Sequence, residues 1–246
     1  MEEKISRLLV DEEAMRCLLC YDAPCSKVCP AQTDPAKFIR SIRFKNYLGG
    51  IKTIRENNAL GAVCSELCRG EKYCEKACIR NKMDRPINIK YLHEFLMDME
   101  EPAEKKEDNN TCKDRVCVFG EDIKGLSAAY EFMRNGYDVI LFSEKSINDY
   151  LATELNNGSL SAEFLEKDIK NIINKGLVVE KGIPTLEKLK EYDFKAILFA
   201  VDDIKDIYGL KEKSYYLNEL VKGPSDAAFN VRQGREAAKK VIKEIE

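Results

Sequence analysis

Eight of the ten cysteines in this 246-residue chain fall between Cys17 and Cys78. They read Cys17-x2-Cys20-x4-Cys25-x3-Cys29-Pro30 and, after a long gap, Cys64-x3-Cys68-x5-Cys74-x3-Cys78. The single histidine, His93, follows them. Thiols at such density serve as a disulfide scaffold, as zinc ligands or as iron–sulfur ligands. The opening stretch MEEKISRLLVDEEAMR is charged and amphipathic and has no apolar signal core. A cytoplasmic, reducing setting is therefore expected, where paired cysteines are rare. Zinc is represented by Cys17-x2-Cys20, a common half-site, although a second pair at that spacing is missing.

The remaining bulk properties mostly exclude. Apolar residues make up 44% of the chain, enough for packed cores, in one large or two small domains. A net charge of −3 gives no reason to expect nucleic acid or a membrane surface. No apolar run approaches the roughly 18 residues needed to span a bilayer.

Taken in order, residues 3–19 read as a helix with Ile5, Leu8, Leu9 and Met15 at helical spacing, delivering Cys17 and Cys20. Pro24 and Pro30 are expected to force non-helical turns. Asp34-Pro35 reads as a helix start, with Asp34 as N-cap. The helix runs to about residue 47 and carries Phe38, Ile39, Ile42 and Tyr47; Gly49-Gly50 should break it. A short helix over 51–57 leads to the second cysteine cluster, where Cys64/Cys68 and Cys74/Cys78 are i, i+4 pairs, as is Cys25/Cys29. A helix over 88–99 carries Ile89, Leu92, Phe95, Leu96 and Met99, with His93 beside that stripe. Residues 101–113 are polar and aperiodic and read as a linker between a 1–100 unit and a 114–246 unit. There the texture changes to strand 115–119, helix 125–135 and strand 138–142, a β-α-β order that implies a parallel sheet. A helix over 161–175, strands over 177–180 and 195–200, and a closing helix over 225–244 complete the reading.

The first cysteine run resembles ferredoxin-type cluster runs, in which the last cysteine serves the other cluster. Its x4 insert departs from simple bacterial ferredoxins. Arg16-Cys-Leu-Leu-Cys20, Pro24-Cys-Ser-Lys-Val-Cys-Pro30, Asn57-Asn-Ala-Leu60, Tyr73-Cys-Glu-Lys-Ala-Cys78 and Pro86-Ile-Asn-Ile89 together resemble another family. It is the N-terminal iron–sulfur domain shared by the glutamate synthase small subunit and dihydropyrimidine dehydrogenase. That resemblance implies two [4Fe–4S] clusters with interleaved ligands. The first cluster would take Cys17, Cys20, Cys25 and Cys78. The second would take Cys29, Cys68, Cys74 and a non-cysteine ligand, a Gln or Glu in the family, whose place His93 takes here. Glu94 is the alternative if the helix is rotated by one residue. Cys64 has no ligand role in that pattern and reads as a buried thiol beside the cluster. Cys112 and Cys117 read as structural.

The second half resembles the flavin-binding half of the same family through Val116-Cys-Val-Phe-Gly120, Gly125-Leu-Ser-Ala-Ala129, Gly136-Tyr-Asp-Val139, Gly182-Ile-Pro184, Tyr192-Asp193 and Gly223-Pro-Ser225 to Gly234-Arg-Glu-Ala-Ala238. Its nucleotide contacts have changed. In the vestigial loop Gly120, Asp122, Gly125, the carboxylate stands where a dinucleotide fingerprint needs its second glycine, at a helix N-terminus that would face pyrophosphate. The ribose-binding acid falls at or near Ser143, with Glu144 one residue off. The Ala-Thr-Gly turn reads Ala200-Val201-Asp202, and the closing Gly-Asp reads Asn218-Glu219. Joint change at four contact regions argues against FAD. Only 15 residues separate Asp202 from Asn218, too few for the roughly 30-residue βαβ unit of an NAD(P)H domain.

The expectation is an α-helical iron–sulfur domain followed by an α/β Rossmann-like, truncated flavin-fold domain. The chain is expected to be a cytoplasmic electron-transfer subunit in a hetero-oligomer with other flavin- or iron–sulfur-containing oxidoreductase subunits, without catalytic residues of its own. Two alternatives stand beside it: a subunit that retains FAD and exchanges electrons with a partner's NAD(P)H site, and a zinc-stabilised interaction module.

Overall fold

The computed structural model describes residues 6–101, 114–144, 162–201, 213–223 and 226–246. The linker from 102 on, Cys112, Asp202, and Pro224-Ser225 lie outside the described residues, as do residues 3–5 of the first expected helix.

The first hundred residues are built from short helices: α1 (Arg7–Met15), α2 (Pro24–Val28), α3 (Pro35–Arg43), α4 (Tyr47–Arg55), α5 (Gly61–Leu67) and α6 (Ile89–Asp98). Several boundaries differ from the sequence reading. Helix α1 ends before Cys17, so Cys17 and Cys20 sit in the coil that follows. Its buried face is Val10, Glu13 and Ala14, whereas Leu8, Leu9 and Met15 are exposed. The apolar spacing misled because the buried Glu13 anchors this helix: its carboxylate accepts from Arg85 at 2.7 Å, Arg16 at 2.8 Å and the Asn88 N–H at 2.7 Å. Pro24 does not break a helix but opens α2 at its first position, where a missing N–H is harmless. Asp34 caps α3 as read, accepting from the Lys37 N–H at 3.2 Å. Gly49 and Gly50 lie inside α4 instead of ending α3. A Cβ on Gly50 would stand 2.9 Å from Leu96 Cδ1, so the missing side chain serves the close approach of α4 to α6.

The second half is a five-stranded parallel sheet of order β3-β2-β1-β4-β5. Its strands are β1 (Arg115–Phe119), β2 (Asp138–Ser143), β3 (Val178–Lys181), β4 (Ala196–Phe199) and β5 (Ser214–Tyr216), the last not foreseen from sequence. The helices are α7 (Ile123–Arg134), α8 (Ala162–Asn174), α9 (Leu186–Glu191), α10 (Leu217–Leu220) and α11 (Ala227–Ile245). Alternation divides the sheet as a two-residue period requires. Val116, Val118, Val139, Leu141, Ala196 and Leu198 pack with α7 and α11. Cys117, Phe119, Ile140, Phe142, Ile197 and Phe199 face the other way, with Leu189 of α9. Across that second face Phe142, Phe119, Phe199 and Tyr216 stack at centroid spacings of 5.4, 4.9 and 5.1 Å. Cys117, fully buried there, is structural as read.

The two halves share a core. Ala31, Ala59, Leu60, Val63 and Cys64 belong to the same apolar cluster as the inner sheet face. Polar ties reinforce it. Arg235 of α11 donates to the carbonyls of Ala31, at 3.1 Å, and Asn57, and to Gln32. Lys167 of α8 donates to the Met97 and Asp98 carbonyls at 2.7 and 2.9 Å, closing the C-terminus of α6.

Candidate metal centre

Two small cavities lie in the helical half, and the cysteines divide between them. The first, about 20 Å³, is walled by Cys17, Cys20, Cys25 and Cys78 with apolar neighbours that include Leu18, Ile39 and Ile87. Cys17 and Cys20 come from the coil after α1, where Leu19 takes a left-handed turn (φ 50°). Cys25 comes from the first turn of α2, and Cys78 immediately precedes the short 3₁₀ turn Ile79–Lys82. Arg43 of α3 donates to the Cys17 carbonyl at 2.9 Å and pins the coil. Burial, then the neighbouring Cys17 and Cys78, push the Cys25 thiol up to about 11. Burial, with Cys20 and Cys78 nearby, likewise raises Cys17. Such thiols resist ionising together unless a cation compensates them, and a bound metal ion does so, since a coordinating thiol is deprotonated outright.

The second cavity, about 30 Å³, is lined by Cys29, Cys64, Cys68, Cys74 and His93, with Thr33, Phe38 and Ser65. Cys29 follows the last residue of α2, and Cys68 follows the last residue of α5. Thr33 hydrogen-bonds the Cys29 sulfur through its hydroxyl (3.2 Å) and its N–H (3.5 Å). Burial, then Cys29 and Cys68, raise Cys74. Cys64 and Cys68 share a hydrogen bond that holds the proton on Cys64 and lowers Cys68.

His93 projects from α6 into this second cavity, 7% exposed, with its ring 5.6 Å from that of Phe38. Its Nε2 is buried and has no hydrogen-bond partner among the described residues. Burial, reinforced by the Arg55 cation, depresses its pKa to about 3, so the imidazole is neutral with a free lone pair. An orphaned buried nitrogen facing thiols is a donor set that suits a soft metal centre. Among the residues lining the cavity, His93 is present and Glu94 is not. Among the described residues no three His, Cys, Asp or Glu side chains converge on a single-ion site; the donors surround a space instead of a point.

Near neighbours in sequence thus face different cavities. Cys25 lines the first and Cys29 the second, and Cys78 lines the first and Cys74 the second. Cys64, read as a bystander, also lines the second cavity. Sequence reasoning missed Thr33, whose only signal is its position four residues after Cys29.

In the Gly120–Gly125 turn, Gly120 has φ +127°, and a Cβ on Gly125 would fall 2.1 Å from the Gly120 carbonyl oxygen. Asp122 caps α7, its carboxylate accepting from the Gly125 N–H at 2.8 Å. It occupies the N–H groups that a phosphate would use. Burial raises its pKa, partly opposed by that Gly125 bond. Ser143 ends β2 and is buried, and Glu144 is exposed. Asn218 and Glu219 lie in α10.

Sequence comparison bears on both the cysteine-lined helical half and the sheet-bearing half. Residues 1–105 match the family described as dihydropyrimidine dehydrogenase domain II, 4Fe-4S cluster. This part of the chain is a [4Fe–4S] cluster-binding domain. Over 202 residues the chain is 40% identical to the NAD-dependent dihydropyrimidine dehydrogenase subunit PreT of Escherichia coli K12, and 39% identical to its homologue in Salmonella typhi. Each alignment covers 79% of this chain and 49% of the relative. A more distant relative is a putative oxidoreductase, YgfK, of Escherichia coli O157:H7, 28% identical over 76% of this chain and 19% of that protein. The chain therefore spans about half the length of the PreT relatives it matches. Among the described residues no helix is long and apolar enough to cross a membrane.

Proposed function

We infer that the chain is the electron-transfer subunit of a larger oxidoreductase, relaying electrons through two [4Fe–4S] clusters. The observation that carries this reading is the interleaved division of donors between two neighbouring cavities. Cys17, Cys20, Cys25 and Cys78 would hold the first cluster. Cys29, Cys68, Cys74 and His93 would hold the second. Bound clusters supply one-electron redox chemistry, with potentials set by ligand charge, burial and hydrogen bonds to sulfur. This chain's own contribution is to fix their separation through the short α2 segment and the 74–78 turn, to exclude water with Phe38, Ile39 and Ile87, and to hydrogen-bond the Cys29 sulfur from Thr33. Neutral His93 in place of an anionic ligand favours a higher potential at the second cluster.

On this reading residues 1–100 form the cluster domain, 101–113 a linker, and 114–246 a Rossmann-like pseudo-flavin domain kept as a docking scaffold. The 3-2-1-4-5 order of parallel strands supports the Rossmann-like part, and the Asp122 cap supports the absence of FAD. The PreT relatives are named as subunits of an NAD-dependent dehydrogenase, which favours a hetero-oligomer with other flavin- or iron–sulfur-containing subunits. A second reading, a flavin-retaining subunit, draws on one observation: the Gly120–Gly125 turn keeps the backbone shape of a phosphate loop.

Iron, acid-labile sulfide, zinc and flavin measured on one anaerobically purified sample test the proposal. About eight iron and eight sulfide per chain without flavin are expected for two clusters. Zinc in place of iron would overturn it. One flavin per chain beside the iron would hand the lead to the second reading.

A further inference from the structure

The first cavity is walled by four cysteines, but the second is walled by five metal-binding side chains: Cys29, Cys64, Cys68, Cys74 and His93. A [4Fe–4S] cluster has four iron corners and takes four protein ligands. One donor of the second cavity is therefore in excess. We propose that Cys64 is a reserve ligand, which takes the His93 corner of the second cluster when the imidazole is absent or displaced. This inference rests on the two-cluster reading above.

Cys64 is 3% exposed and lies in α5 four residues before Cys68, which caps that helix, and both thiols line the second cavity. The backbone there is held firmly. The Cys64 N–H donates to the Leu60 carbonyl at 2.8 Å, and the Cys68 N–H donates to the Cys64 carbonyl at 3.0 Å. The preceding Val63 N–H is fixed by Asp168 at 2.8 Å. Helix α6, which carries His93, packs directly on α5. The His93 Nε2, buried and without a partner among the described residues, faces the same space as the spare thiol. The exchange stays within one cavity, whose wall both side chains form. In the exchange an iron–Nε2 bond would give way to an iron–Sγ bond, and the thiol proton would pass to solvent, leaving the imidazole neutral. No oxidant or reductant takes part. A thiolate adds one negative charge where imidazole added none, which lowers the potential of that cluster.

The test is iron and sulfide content, with electron paramagnetic resonance of the dithionite-reduced full chain, for wild type, His93→Ala, Cys64→Ser and the double variant. His93→Ala is expected to keep about eight iron per chain, with one cluster signal altered and its midpoint potential lowered. Cys64→Ser is expected to keep about eight iron and both cluster signals. The double variant is expected to lose about four iron and the second signal alone. The surviving first-cluster signal reports that the fold is intact in each variant. Loss of about four iron from His93→Ala alone would overturn the proposal. So would loss from Cys64→Ser alone, which would make Cys64 a resident ligand, or retention of all iron by the double variant. A wild-type chain that carries zinc, or only one cluster, would instead overturn the two-cluster reading itself.

Discussion

Arg55 of α4 and Asp168 of α8 form an ion pair at 2.6 Å, with side chains 9% and 0% exposed, and join the cluster-bearing helices to the sheet-bearing half. Arg55 also donates through Nε to Glu100 at 2.8 Å, and Asp168 accepts from the Val63 N–H one residue before Cys64. Breaking a buried pair leaves one charge unpaired, which costs about 3–5 kcal/mol. Asp168→Ala is therefore expected to lower stability in urea unfolding by that amount. Arg55 keeps its bonds to Glu100, so the pair is read as a coupling: the combined Asp168→Ala and Arg55→Met change should cost less than the sum of the two single changes. Equal, additive losses from the two single changes would show that the pair is not coupled.

The division of cysteines makes Cys25 and Cys74 diagnostic. Cys25→Ala is expected to remove about four of eight iron and spare the signal of the second cluster. Cys74→Ala should do the reverse. If either change removed all the iron, the two cavities would not be independent centres.

Acid should weaken the contact between α1 and the segment around 84–88. Burial alone would raise Glu13, but hydrogen bonds from Arg85, the Asn88 N–H and Arg16 outweigh it and hold its carboxyl below the usual 4.5. Asp84 is drawn down to about 2, first by Arg16. Both carboxyls are depressed in the folded state, so the unfolded chain binds more protons. Their stabilisation is present above the ordinary carboxylate values and is lost as pH falls from about 4.5 toward 2. Glu13→Gln should flatten the pH dependence of unfolding below pH 4.5 and leave it unaltered above about pH 6.

Asp122 acts as the N-cap of α7, so Asp122→Ala should cost about 1 kcal/mol, whereas Asp122→Asn, which can still accept from the Gly125 N–H, should be close to neutral. Thermal unfolding of the three proteins distinguishes these outcomes. A gain of bound flavin in Asp122→Gly would show that the carboxylate alone bars the nucleotide.

What was legible in the sequence was local. The spacing of Cys17, Cys20, Cys25 and Cys29 announced a metal domain, Asp34-Pro35 marked a helix start, and the order of strand and helix from Arg115 to Phe142 announced a parallel sheet. Each depends on residues close in the chain, where backbone geometry dictates what can follow. The resemblance of the cysteine framework to a known family supplied the grouping of Cys78 with the first run.

The tertiary structure decided what depends on contacts between distant segments. Helical spacing could not show that α1 buries Glu13 and exposes Leu8, because Arg85 and Asn88 arrive from more than seventy residues away. The glycine pair in α4 looks like a helix break until Leu96 is seen to need the space of a missing side chain. Strand β5 is three residues long and carries too little periodicity to announce itself; its pairing with β4 makes it a strand. His93 and Glu94 are adjacent in sequence, yet the roll of α6 against α5 turns His93 into the cavity with Cys64. A helix places successive side chains about 100° apart, and only packing selects which of them meets the thiols.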